Sequence, residues 1–116
     1  QTLHSQRAWR VTKMVRIAWF DTLGREDRDV PAVIIAGPLA VTKLGRGLYT
    51  ITHLKSGYAV CGGLGAAASR KVATEALAEL MALPIEWTQS RTALKGFVRR
   101  NSDLRATIRS IQGRFQ

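Results

Sequence analysis

The residues best suited to binding chemistry lie between Cys61 and Lys71, where "CGGLGAAASRK" sets Gly62, Gly63 and Gly65 ahead of a serine and two cations. A glycine-rich turn that delivers a helix N-terminus can hold phosphate, because free backbone N–H groups and the helix dipole both point at the anion. Gly63-Leu64-Gly65-Ala66-Ala67-Ala68 fits a relaxed G-x-G-x-x-A dinucleotide pattern, and Glu86 stands about where a ribose-binding acid would. That fold needs parallel strands, however, and the segment before these glycines reads as the second arm of a tight hairpin. The P-loop pattern G-x-x-x-x-G-K-[ST] does not occur either. The expectation is therefore no nucleotide cofactor. What remains is a turn into a helix capped by Ser69, whose first turn presents Arg70 and Lys71 to a phosphate backbone.

A second cationic group is spread over the C-terminal segment. Arg91, Lys95, Arg99, Arg100, Arg105, Arg109 and Arg114 stand there against Asp103 alone. Arg91, Lys95 and Arg99 recur at i, i+4 and i+8, one side of a helix, and Arg105 and Arg109 repeat the spacing. A solvated helix face usually intersperses acids to make i,i+4 pairs; their absence here points to an anionic partner. A third set, Arg10 and Arg16 with Lys13, falls on the wetter face of a candidate first strand. Phe20 and Tyr49 are the aromatics available there for base stacking, whereas Trp9, Trp19 and Trp87 are expected in the core.

Catalytic and metal chemistry find little footing. His4 and His53 have no Ser/Asp partner pattern and no metal-ligand spacing. Asp21, Glu26, Asp27 and Asp29 could collect a divalent ion, but Arg25 and Arg28 interleave with them and no EF-hand spacing is present. The single cysteine, Cys61, rules out an internal disulfide framework and reads as a small core residue. The expectation is a non-enzyme with no metal and no cofactor.

Over the whole chain, 18 Lys and Arg stand against 8 Asp and Glu in 116 residues, a formal charge of +10. Such excess points first to nucleic acid, then to an acidic membrane surface or an acidic protein. No run of 18 apolar residues occurs and "QTLHSQRAWR" lacks a signal peptide's apolar stretch, so a cytoplasmic protein without a membrane span is expected.

One α+β domain accommodates all of these groups. Residues 7–20 alternate apolar and polar, as a half-buried strand does. "DTLGREDRD" (21–29) reads as a polar loop and Val30–Ile35 as a strand opened by Pro31. Gly37-Pro38 reads as a bend or bulge, and "LGRG" and "KSG" as tight turns. Sheet is thus expected over about 7–61 as an antiparallel meander of four or five strands, helix over about 69–83, and a basic helical segment over about 90–112. The apolar stripe of the first helix is Val72, Ala73, Ala76, Leu77, Leu80 and Leu83, with Pro84 as its stop. "IEW" (85–87) is a short edge strand or a packing plug. Asn101-Ser102-Asp103 is a break in the last segment, with Ser102 as a cap.

Tyr58 to Leu80, an antiparallel strand, a glycine turn, Ser69-Arg70-Lys71 and an Ala-rich helix, resembles the end of double-stranded-RNA-binding domains. Gly37-Pro38 is similar to that family's Gly-Pro turn. The resemblance implies Ser69, Arg70 and Lys71 as a phosphate grip. The chain departs from the pattern in having Leu39-Ala40 where a His is expected, three alanines before the serine, and a strand rather than a helix at the start, so no family is assigned. The element order is also similar to that of Whirly-type single-strand binders, an analogy of topology alone. The function expected is non-catalytic binding of DNA or RNA, mainly through backbone phosphates and with low sequence specificity. The alternative is a basic interaction module, an accessory or inhibitory factor of mobile-element type that docks on an acidic face of a larger enzyme. Self-association through Phe97, Leu104, Ile108 and Ile111 is a further expectation to be tested.

Overall fold

The computed structural model describes residues 13–21, 23–63 and 65–116. Its strands are β1 (Lys13–Asp21), β2 (Gly24–Ala36), β3 (Leu39–Gly45), β4 (Leu48–His53) and β5 (Ala59–Cys61), in one antiparallel sheet of order β1-β2-β3-β4-β5. Helices α1 (Arg70–Met81), α2 (Arg91–Arg99) and α3 (Ser102–Gln112) follow. The architecture is thus α+β, a five-stranded meander and then helices. Among the described residues the sheet comes first, where the RNA-binding resemblance implies a leading helix. Trp9 and Arg10 lie outside the described residues.

The largest departure from expectation is the segment 21–29, which is not a loop. From Gly24 it is strand, paired residue by residue with β1 from Asp21↔Gly24 to Lys13↔Ala32. Its outer half is exposed throughout, so the period-two hydrophobic signal is missing. Charge replaces it as the local organiser. Arg25 donates to Asp27 at 3.1 Å, Arg28 to Glu26 at 2.9 Å and Arg16 across the ladder to Asp29 at 3.2 Å. The Arg28 guanidinium also lies 4.4 Å from the centroid of the Trp19 ring. Pro31 lies inside β2 rather than opening it, one residue before the β2–β3 ladder begins at Ala32. The strand is an edge on that side there, which tolerates a residue without an N–H. Gly37, at φ 58°, and Pro38 reverse the chain between paired Ala36 and Leu39; this is a two-residue hairpin turn, not a bulge.

The sheet curls into a half-barrel. Ala18 of β1 donates its N–H to the Gly57 carbonyl at 2.8 Å, bringing the first strand to the turn ahead of the last. Ile17, Ala32, Ala40, Thr42, Thr50 and Thr52 are buried, and the three threonines bond to one another inside the curl. Thr42 Oγ1 is 2.8 Å from Thr50 Oγ1 and 2.9 Å from Thr52 Oγ1. Leu39, Val41 and Ile51 alternate with these residues and meet the helices on the outer face.

Helix α1 covers that face with Ala73, Ala76, Leu77 and Leu80, the stripe its spacing predicts. Ser69 caps it, its Oγ accepting the Val72 N–H at 3.2 Å. "IEW" is the plug, with Ile85 and Trp87 buried and the Trp87 indole N–H donated to the Leu80 carbonyl at 3.1 Å. Ser90 caps α2 in the same way as Ser69 caps α1. The break before α3 falls at Arg100–Asn101, and Asn101 rather than Ser102 occupies the cap position. The Asn101 side chain donates back to the Phe97 carbonyl at 2.7 Å and so terminates α2. Leu94, Ile108, Ile111 and Phe115 complete the core, with Phe97 and Leu104 packed against it. The side chains offered for self-association are therefore engaged with the chain's own core.

Cys61 is a core residue, and burial pushes its thiol up to about 12 against the opposing pull of Arg114. Arg114 makes a two-pronged ion pair with Glu79, which ties the C-terminus to α1; its hydrogen bond holds the Glu79 carboxyl below the usual carboxylate range. No helix among the described residues is long and apolar enough to cross a membrane.

Candidate nucleic-acid interface

Much of the glycine stretch is tied into the fold by backbone hydrogen bonds. Gly63 and Ala66 exchange backbone hydrogen bonds at 2.8 and 2.9 Å, Ala67 donates to the Gln116 carbonyl, and Ala68 and Tyr49 bond reciprocally. The N–H groups of Gly63, Ala66, Ala67 and Ala68 are thus committed to carbonyls. Gly62 is required by space and by conformation: at φ 86°, a Cβ there would stand 2.7 Å from Thr50 Cγ2 and 2.9 Å from the Ala66 carbonyl oxygen. Gly62→Ala is expected to cost about 1–3 kcal/mol in chemical denaturation, through a strained φ and a contact that backbone cannot relieve. Arg70 and Lys71 are exposed at the start of α1.

The C-terminal cations are brought together. A groove of about 480 Å³ runs between α2 and α3 on one side and the 53–60 segment on the other. Arg91, Lys95 and Arg99 of α2 line it with Arg105 and Arg109 of α3, as their helical spacing predicts. Val60, Leu94, Val98 and Ile108 supply an apolar floor, and no acidic side chain lines the groove among the described residues. Four of the chain's eight acids are held in ion pairs elsewhere. The four ion pairs among the described residues join Arg16, Arg25, Arg28 and Arg114 to Asp29, Asp27, Glu26 and Glu79, and none involves a groove cation. Arg16 is therefore neutralised on the outer hairpin, away from this groove, and Arg100 is exposed outside it.

Local bonds set the geometry of the walls. Gln112 donates its side-chain amide to the Val60 carbonyl at 2.7 Å, fixing α3 to β5. Arg105 donates to the Arg99 carbonyl at 3.3 Å, which places its charge over the C-terminal end of α2. At the other end, Lys55 reaches the Thr88 carbonyl at 3.2 Å. The groove contains His53, a buried residue whose Nε2 is 2.8 Å from the Trp87 carbonyl and whose Nδ1 is 2.7 Å from Ser56 Oγ. A carbonyl can only accept, so Nε2 carries the proton toward Trp87. Ser56 Oγ also accepts the Tyr58 N–H at 3.2 Å, so the His–Ser contact knots a turn and fixes the plug to the sheet.

Tyr58 is the site residue that the sequence does not single out. The Arg91 guanidinium lies 4.0 Å and that of Arg25 5.3 Å from its ring centroid, and Phe20 approaches at 5.6 Å, tilted by 43°. Its partners come from β1, β2 and α2, remote in sequence, and only the "KSGY" turn marks its position. Tyr49, offered for base stacking, instead packs against the core. Among the described residues no group of three or more His, Cys, Asp and Glu side chains could hold a metal ion. No protein-family model, no curated protein and no solved structure matches the chain.

Proposed function

We propose that the protein is a non-catalytic nucleic-acid-binding protein of the cytoplasm that holds the phosphate backbone in the groove between α2, α3 and β5. The observation that carries this reading is the set of five groove cations, Arg91, Lys95, Arg99, Arg105 and Arg109, that share one concavity lined by no acid among the described residues. Like charges at i,i+4 destabilise a helix by a few tenths of a kcal/mol per pair, and α2 accepts two such pairs in nine residues. A polyanion relieves that repulsion. Arg99 and Arg109 also stand in the last turns of their helices, where the dipole favours a cation. That preference does not explain Arg91 at the start of α2, which is held toward the groove by Tyr58.

Contacts of this kind position a backbone without reading bases, so affinity should depend little on sequence and steeply on salt. Fluorescence anisotropy with labelled DNA and RNA tests this. Binding should be readily measured near 50 mM salt and weaken by about 100- to 500-fold near 200 mM, less than the loss typical of six to ten phosphate contacts. Affinity that is undetectable at low salt, or insensitive to salt, removes the proposal.

A further inference from the structure

A second cavity opens inside the half-barrel and adjoins the cation groove. It measures about 350 Å³, within the range of about 300–1,000 Å³ typical of ligand sites. Its chemistry is unlike that of its neighbour. Trp19, Phe20 and Tyr58 line it with the buried Thr50 and Thr52, and Arg91 is the only charged side chain that lines it among the described residues. Tyr58, Ala59 and Arg91 line both cavities, so the two adjoin.

We infer that this cavity receives one unstacked base of a single-stranded nucleic acid whose backbone lies in the adjoining groove. The inference rests on the nucleic-acid reading of that groove and names the strand form it takes. A nucleotide has an anionic half and a neutral, planar half; the two adjoining cavities divide in the same way, one cationic and one aromatic with hydroxyls. Base–aromatic stacking tolerates any sequence because every base has a π-face. Trp19 is held for that role by Arg28 over its ring and lines the inner cavity without lining the groove. A base inside a duplex could enter only by leaving its stack and its partner, which costs energy that a single strand does not incur.

The test compares three labelled probes on the full chain near 50 mM salt: a short oligothymidylate, an abasic strand with the same number of phosphates, and a duplex of the same length. The oligothymidylate should bind roughly tenfold tighter than the abasic strand and tighter than the duplex, the size of effect that one stacked base gives. Trp19→Ala should erase the difference between oligothymidylate and abasic strand while keeping the affinity for the abasic strand, which also reports that the groove is intact. Trp19→Phe should restore most of the difference. Equal binding of the two strands by the unaltered protein, or a preference that survives Trp19→Ala, overturns the base pocket and leaves the groove reading in place. Failure of all three probes to bind overturns the groove reading itself. The comparison on the unaltered protein decides the question even if a variant does not fold.

Discussion

Lys95→Glu is expected to weaken nucleic-acid binding roughly 10- to 100-fold near physiological salt, by removing one phosphate contact and opposing the approach of the next. The same substitution is expected to stabilise the fold by about 0.5–1 kcal/mol, because it converts the repulsions with Arg91 and Arg99 into two attractive i,i+4 pairs. Lys95 is exposed and takes part in no ion pair among the described residues, so nothing in the core opposes the change. Opposite signs in binding and stability distinguish a cation kept for a ligand from one kept for the fold. Urea denaturation and anisotropy on one preparation check both. Reversing Arg70 and Lys71 together is the control: they stand outside the groove and should weaken binding far less.

Trp87→Ala should have the largest effect on stability, about 3–5 kcal/mol. That is a large part of the roughly 5–15 kcal/mol available to a domain of this size. The indole is 5% exposed, fills the junction of sheet, α1 and α2, and donates to the Leu80 carbonyl, which would keep only the Leu83 N–H as a donor. The Trp87 main chain also receives the His53 Nε2 proton, so a shift of the plug disturbs the groove floor. Trp87→Phe retains most of the packing and loses the single hydrogen bond, and should cost only about 1 kcal/mol beyond the change in volume. Thermal and chemical denaturation separate the two variants.

Where hydrophobic period and capping agreed, the sequence was readable. Helix α1 shows its stripe, its Ser69 cap and its end before Pro84 in the sequence itself. The cations of α2 and α3 declare their shared faces through spacing alone, since i,i+4 neighbours lie on one side of a helix whatever it packs against. The outer half of β2 could not be read this way, because both of its faces are wet and its order comes from Arg–Asp and Arg–Glu pairs and from the register imposed by β1. The stretch after Cys61 reads as a phosphate cradle in sequence, whereas the N–H groups of Gly63 and Ala66–Ala68 have backbone partners, among them Gln116 at the far end of the chain, which local pattern does not encode. Tyr58, Val60 and His53 enter the groove through the curl of the sheet, a tertiary event that local pattern does not encode.

The slope of log affinity against log salt, taken for the unaltered protein and for single Gln substitutions of the groove cations, tests the central claim most directly. Five groove cations on a single strand predict a slope of about −3.5, and each substitution should reduce its magnitude by about 0.7, whereas Lys71→Gln should leave it unchanged. A slope near zero, or one that the groove substitutions do not alter, would contradict the assignment of the α2–α3 groove as the phosphate-binding site.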